Sequence, residues 1–536
     1  MSAANAGGGV QTVRRVIIYI LLFVMVMLAA IGLSGLLGRL LDVGDQVVAD
    51  DSSSLAQSLA FTLIAGPLAG LLWWLVWRGL ADERDRASVA WPLYLAFAST
   101  VSLIVSATGL LSAIATLVGG RWLAGEFATG VVWAGVWLAH QWMLYHRTRR
   151  PSRLGSIGPV IGSAYGLAIG VGGAVSSFAD VLTAATDTLA AVHLAGGPWW
   201  QPVVQSLVWA AGGALIWWWH WVRFGVVGMR DGFARVVLVI ITGFGATALC
   251  LTGVAVTVHV LLRVAVDSDD SFAERLDPIG FALSAALIGA LVWAYHRGVV
   301  AREVAPVRRA TTLVASGVAL AAAASGVGVI VNALLAALVT PLAEGGLRGL
   351  LLGGVSALVV GGPAWWLLWK PLSPDSHQQT TGRRVYLVVV FGVSAIVALI
   401  TLILIAFRLF ELGLAEVSGE SVLDRVRAPL GLLTATLLVS GYHFAVWRRG
   451  RQAAETPSST ATISQVILVT GADPEPLRKW IDDSIGASVT VWKRADAAGS
   501  TVTTEQLESA LAGVSARRVL VVVGRGDTLD VVPLDG

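Results

Sequence analysis

Two residue types are almost missing from this chain. Cysteine occurs once, at Cys250, so no intrachain disulfide is possible. It lies inside an apolar run, where a lone thiol is expected to pack as a small apolar side chain. Lysine occurs only at Lys370, Lys479 and Lys493; every other basic residue is arginine. With the bias to Ala, Gly, Val and Leu, this composition points to a GC-rich bacterial genome. Charge is scarce as well: 13% of residues are charged and 56% hydrophobic. A soluble chain of 536 residues covers its surface with charge, and this one cannot. The net charge of +3 is small and spread over loops, which argues against a nucleic-acid partner. The middles of the long apolar runs are nearly free of ionisable groups, with Glu126 and His259 the nearest exceptions. Proton-moving pumps carry buried carboxylates there.

What is present is tryptophan, 22 of them, and a repeat. Six apolar runs end in large aromatic or apolar residues followed by one basic residue. These basic residues are Arg78, Arg147, Arg223, Arg297, Lys370 and Arg448, spaced 69, 76, 74, 73 and 78 positions apart. A fixed period of this kind marks a tandem array. A helix needs about 20 apolar residues to cross a bilayer. Twelve segments qualify: 14–41, 55–78, 90–118, 124–146, 156–184, 199–222, 234–264, 278–297, 309–340, 347–370, 384–410 and 429–448. The expected fold is an all-α polytopic membrane protein with about 12 transmembrane helices. They form six helical hairpin repeats over 13–451, at 13–80, 86–147, 150–224, 230–300, 305–372 and 382–451. Residues 1–12 read as a disordered N-terminus. The run after Arg14-Arg15 is too long for a cleaved export signal, so it reads as a first helix.

Arginine distribution sets orientation. The basic residues cluster where even segments end and odd ones begin. The opposite loops carry Asp42, Asp45, Asp50, Asp51, Asp267, Asp269, Asp270, Glu274, Asp277, Glu411, Glu416, Glu420 and Asp424. By the positive-inside rule all six hairpins point the same way, with both termini in the cytoplasm of a cell bounded by an inner membrane. Parallel repeats of this kind differ from the inverted repeats of many transporters. Odd segments are rich in small residues, such as Gly317 to Gly328, which lets helices approach closely. Pro67 and Pro363 are expected to kink even helices.

After Arg451 the composition changes. Residues 452–463 read as a polar linker. From 464 to 536 strands and helices alternate: strand 466–470, helix 475–485, strand 489–493, helix 504–512, strand 519–523 and strand 529–533, the last two joined by a turn that contains Arg525-Gly526-Asp527. This is a small cytoplasmic α/β domain. Gly471 to Pro476 follows a strand and opens a helix, with Asp473 as the expected cap and only weak support for a bound anion.

Three sets of residues are candidates for function. The first is the interfacial set Trp74, Arg78, Arg147, Trp219, Arg223, Trp293, Arg297, Trp366, Lys370 and Arg448, in which Trp sits at headgroup depth and the cation reaches for phosphates. Its sharper alternative is a row of aromatic pockets for a lipid, quinone or pigment. The second is His140, His146, His220, His296 and His443. Counted from the basic residue of each ending only His146 and His296 share a position, so interfacial histidines are expected rather than haem ligands. The third is a possible outer polar layer of Arg39, Asp180, Arg263, Asn332 and Arg408. Asp42, Asp267 and Glu411 are its expected local partners at helical spacing. No catalytic, cofactor-binding or metal-binding constellation is found.

The aromatic-to-basic endings at Arg78, Arg147, Arg223, Arg297, Lys370 and Arg448 resemble those of the bacterial family called domain of unknown function 5671, in which two-helix units are strung together. The resemblance covers residues 13–451 and implies a membrane array but no chemistry. The expected role is a non-enzymatic multi-pass inner-membrane protein without cofactors. It would be a scaffold or accessory subunit that contacts membrane lipids, other membrane subunits, or a cytoplasmic protein through residues 464–536. A channel or carrier for a small solute is the alternative, and a haem-, quinone- or lipid-binding protein a further one.

Overall fold

The computed structural model describes residues 3–42, 52–189, 197–266, 271–338, 345–370, 381–414, 421–455, 463–494, 502–514, 516–524 and 528–534. Asp45, Asp50, Asp51, Asp267, Asp269, Asp270, Glu416, Glu420 and the 525–527 turn lie outside them. The chain divides into two compact units, residues 1–443 and 444–536.

Among the described residues twelve long helices account for the array. They are α1 (Ala3–Leu41), α2 (Ser52–Gly79), α3 (Ala90–Val118), α4 (Ala124–Leu144), α5 (Ile157–Leu189), α6 (Trp200–Trp218, continued by a π-turn at Trp219–Arg223), α7 (Gly232–Val266), α8 (Ile279–Val300), α9 (Ala305–Ala336), α10 (Gly345–Trp369), α11 (Thr381–Leu414) and α12 (Val422–Glu455). Their starts follow ordinary capping chemistry. The Asp231 carboxylate accepts from the Phe233 and Ala234 amides at the head of α7. Pro306 occupies the first turn of α9, where a missing N–H costs nothing. Extra residues are absorbed as π-turns at Phe61–Ala65 in α2, Ile240–Ala246 in α7 and the end of α6.

Two boundaries differ from expectation. Residues 3–12, expected to be disordered, continue α1. The expected linker from 452 begins as helix, since α12 runs on to Glu455. Among the described residues ten helices are long and apolar enough to cross a membrane. The two expected segments outside that set are α4 and α6. Trp133, Trp137, His140 and Gln141 lower the mean hydropathy of the first, and Gln201, Gln205, Trp209 and Trp217 that of the second.

The helices pack in a pattern that recurs every four. In α1–α4, α5–α8 and α9–α12 the first helix packs on the second. In the first two groups the third helix packs on the fourth. In the last group α11 and α12 are joined by the Ser394–Ser440 hydrogen bond at 3.2 Å. The first helix also packs on the fourth in every group: α1 on α4 through Gly38 and Gly125, α5 on α8, and α9 on α12 through Gly328 and Gly431. The groups join in chain order, α3 against α6 and α7 against α10. Small residues make these approaches possible. A methyl added at Gly213 would lie 2.1 Å from the Gly170 nitrogen, and one at Gly253 would lie 2.2 Å from the Ala286 nitrogen.

The second unit holds a four-stranded sheet in the order β2-β1-β3-β4, with β1 Gln465–Thr470, β2 Ser488–Lys493, β3 Arg518–Val523 and β4 Leu529–Leu534. The pairs β1–β2 and β1–β3 are parallel, and β3–β4 is antiparallel. Helices α13 (Glu475–Ser484) and α14 (Thr504–Leu511) put Leu477, Ile481, Leu507 and Leu511 into one core with Val466, Leu468, Val519, Val521 and Val523. All four expected strands and both helices are present within one residue of the expected bounds. The Asp473 carboxylate accepts from the Glu475 amide at 3.2 Å, in line with its expected capping role.

Candidate functional site

The aromatic-to-basic endings separate into two layers. The outward one contains Trp74, Trp219 and Trp366, which are 47%, 39% and 55% exposed. Here the cation folds back on its own helix. Arg78 lies 4.7 Å over the Trp74 ring and Arg297 lies 4.9 Å over Trp293, each four residues apart on one face. Arg223 ends the π-turn of α6, Arg147 and Lys370 follow the ends of α4 and α10, and Arg448 lies within α12, which runs on to Glu455.

The inward layer was not foreseen. His140, His220, His296 and His443 are at most 2% exposed, so the expectation of interfacial histidines is corrected for these four. Each Nδ1 lies 2.7–2.9 Å from the carbonyl four residues earlier: Val136, Ile216, Val292 and Val439. A carbonyl can only accept, so Nδ1 carries the proton and Nε2 of each neutral ring is an acceptor. That bond, made on its own helix, satisfies Nδ1 of each buried ring. His140 Nε2 accepts from the Tyr94 hydroxyl at 3.0 Å. His220 Nε2 packs against Gly162, where a methyl would come within 2.6 Å of it. Among the described residues His296 Nε2 and His443 Nε2 are buried without a hydrogen-bond partner.

Around the last two the same four residues gather. Trp221 donates to the Tyr295 hydroxyl at 2.8 Å, and Trp217 meets the Tyr295 ring edge-on, with centroids 5.6 Å apart. In the next group Trp369 donates to Tyr442 at 2.9 Å, and Trp365 meets that ring edge-on at 5.4 Å. Trp221 lies 5.4 Å from His296, and Trp369 lies 5.9 Å from His443. Thus a Trp-x-x-x-Trp at the end of the first hairpin of a group is closed by Tyr-His at the end of its second. The first group has the same sequence elements, Trp73, Trp77, Tyr145 and His146. There α4 ends at Leu144, one residue too early, so Tyr145 leaves the helix and packs on Phe224 while His146 stays against Trp77. The indole N–H groups of Trp73, Trp217 and Trp365 are buried without a partner among the described residues.

The proposed outer layer is spread over five helices rather than gathered into one site. Arg39 of α1 donates to Ser54 of α2. Asp180 of α5 accepts from Ser206 of α6 at 2.9 Å and, with Asp187, Thr183 and Trp199, lines a cavity of about 620 Å³. Arg408 of α11 donates to the Arg425 carbonyl of α12, and Glu411 faces the Arg425 side chain at 3.6 Å. Arg263 sits in the last turn of α7, and among the described residues the Asn332 side-chain oxygen of α9 is buried without a hydrogen-bond partner. These bonds run across the hairpin, where sequence spacing pointed along one helix.

At the basic ends two loop pairs differ. In α5–α8 the Glu303 carboxylate, 1% exposed, lies 2.9 Å from Arg230 and 3.1 Å from Arg235. In α1–α4 the corresponding loops line a cavity of about 580 Å³ with Glu83, Arg86, Tyr145, Arg147, Thr148, Arg150 and Ser152.

No curated protein and no solved structure matches the chain. The model of the family described as Domain of unknown function (DUF5671) matches residues 15–139 and residues 309–438. These segments fall within α1–α4 and α9–α12, two of the three four-helix groups. The resemblance drawn over 13–451 therefore holds for those groups, while α5–α8 lie outside the match yet carry the Trp217–Trp221–Tyr295–His296 arrangement. The chain is thus similar to the Domain of unknown function (DUF5671) family over these two segments.

Proposed function

We propose that this chain is a non-enzymatic, multi-pass protein of the bacterial inner membrane. It would have twelve spans and both termini in the cytoplasm, and act as a scaffold or accessory subunit whose C-terminal domain docks on a cytoplasmic protein. Outward-facing apolar residues support the membrane setting: on α11 alone Val393, Ile396, Ile400, Ile403 and Phe407 are each 58–62% exposed. Arginine asymmetry between the loops supports the orientation. Lipid contacts would run through the outward Trp–Arg pairs.

The observation that carries the docking role is the sheet of the second unit. Both helices pack on the face of Val466, Leu468, Val519, Val521 and Val523. The opposite face carries Ile467, Val469, Leu520 and Val522, with Trp492 57% and Val532 45% exposed beside them. An apolar sheet face of this kind is a protein-docking surface. A photo-crosslinking residue in place of Trp492 should give one discrete adduct with a second protein in intact cells. Adducts with lipid alone, or none, would remove the docking role.

A second reading rests on the bare groups near His296 and His443. A quinol-type hydroxyl can accept from the Trp217 or Trp365 indole N–H and donate to the histidine Nε2, whereas haem iron would use Nε2 alone. Organic extraction of the purified protein for quinones, with a visible spectrum for haem, decides between them. An extract free of quinone and a spectrum free of haem bands would reject this reading.

A further inference from the structure

The loop cavity at the basic end of α1–α4 has an internal counterpart in the next group. In each group two loops meet there: the one between the second and third helices, and the one after the fourth. In α5–α8 the first supplies Arg230, followed by Arg235 in the first turn of α7, and the second supplies Glu303. That carboxylate is buried between the two guanidiniums, and Arg308 also donates to its backbone carbonyl. The chain fills this position with its own anion.

In α1–α4 the position is built differently. The first loop supplies Arg86, and the second supplies Arg147 and Arg150 where its counterpart supplies a carboxylate. Asp85, which does not line the cavity, is engaged by Arg15. Arg86 donates to the Thr148 carbonyl, which holds the two loops together. Among the described residues neither Arg147 nor Arg150 has an ion pair. The cavity they line is about 580 Å³, with Tyr145, Thr148 and Ser152 as further hydrogen-bonding groups and Glu83 as the single acid on its wall. Arg149, between the two, is turned away and lies 4.6 Å over the Trp77 ring.

We propose that this cavity binds a phosphate group. Guanidinium forks match phosphate oxygens in pairs, and hydroxyls complete the shell. The source is either the headgroup of an anionic phospholipid or a soluble phosphate. This rests in part on the membrane reading above, which sets the cavity at headgroup depth.

The experiment uses the full chain in detergent. Native mass spectrometry with phosphatidylglycerol and phosphatidylcholine is paired with thermal melting in inorganic phosphate against chloride at equal ionic strength. The variants are R147Q/R150Q and, as a control for generic attraction to a basic loop, R302Q at an exposed arginine outside the cavity. The expected result is preferential retention of phosphatidylglycerol by the wild type and R302Q, weakened roughly tenfold or more in R147Q/R150Q. Stabilisation by inorganic phosphate alone, lost in R147Q/R150Q, assigns the site to a soluble phosphate. Equal behaviour of wild type and R147Q/R150Q in both assays overturns the proposal. Carbonate washing of cell membranes reads the other premise separately. Release of the chain would sink the membrane reading and leave the phosphate melting arm intact.

Discussion

Trp221 and Tyr295 are joined by a 2.8 Å hydrogen bond between the second helix of one hairpin and the second helix of the next. The indole is 4% exposed, so its N–H has no water to turn to. Tyr295→Phe keeps the ring and removes the acceptor. It is expected to cost about 1–3 kcal/mol, the penalty of stranding a buried donor. Tyr442→Phe should do the same to Trp369, and the two costs should add because the sites lie in different groups. Thermal melting of the single and double variants in detergent checks both statements. An unchanged melting temperature in Tyr295→Phe would show that this bond contributes nothing.

The approach of α5 to α6 depends on glycine. A side chain at Gly213 meets backbone at 2.1 Å, so Gly213→Val must push the helices apart. Size-exclusion profiles should show loss of the monodisperse species. Gly135→Ala, where a methyl meets nothing within 4 Å, should leave the profile unchanged. Similar behaviour of the two variants would contradict the packing described here.

Glu303 bridges two loops through Arg230 and Arg235. The carboxylate is buried, but the arginines are 45% and 32% exposed, so solvent screens much of the attraction. Glu303→Ala is expected to destabilise by roughly 1–3 kcal/mol, mainly by leaving two cations facing each other. Limited proteolysis should show faster cleavage in the 224–231 loop. A variant as resistant as the wild type would assign Glu303 no such role.

Trp492 lies on the sheet face away from α13 and α14. Trp492→Ser should leave the core of Leu468, Ile481 and Val521 intact and abolish the crosslinks expected from this face. Circular dichroism of the variant checks the first half. A melted domain would mean that Trp492 belongs to the fold rather than to an interface.

Much of this architecture is legible in the sequence. The apolar runs gave the long helices because only helices satisfy their backbone without water. The small domain is legible because strand alternation and turn residues are local signals. The four-residue aromatic sites were missed for a physical reason. Counting from the basic residue assumes that it holds a fixed place, but a long, flexible arginine side chain tolerates several positions near a helix end. Tyr295-His296 ends one residue before Arg297, while Tyr442-His443 ends five before Arg448. Ring packing preserves the first register and lets the second slip. Counted on the Tyr-His pairs at 145, 295 and 442, the period is two hairpins. The cross-hairpin bonds of Arg39, Asp180 and Arg408 were hidden because helical spacing reports only neighbours on one helix.

The central claim is six hairpins of a single orientation across a membrane. Replacing Cys250 by Ala gives a background free of cysteine, into which single cysteines can be placed. Arg84→Cys and Arg302→Cys mark the basic loops, and Arg121→Cys and Asp277→Cys mark the opposite ones. Labelling of intact spheroplasts with a membrane-impermeant maleimide should modify positions 121 and 277, and reach 84 and 302 only after lysis. Labelling of 84 or 302 in intact spheroplasts, or of one position from each set, would contradict it.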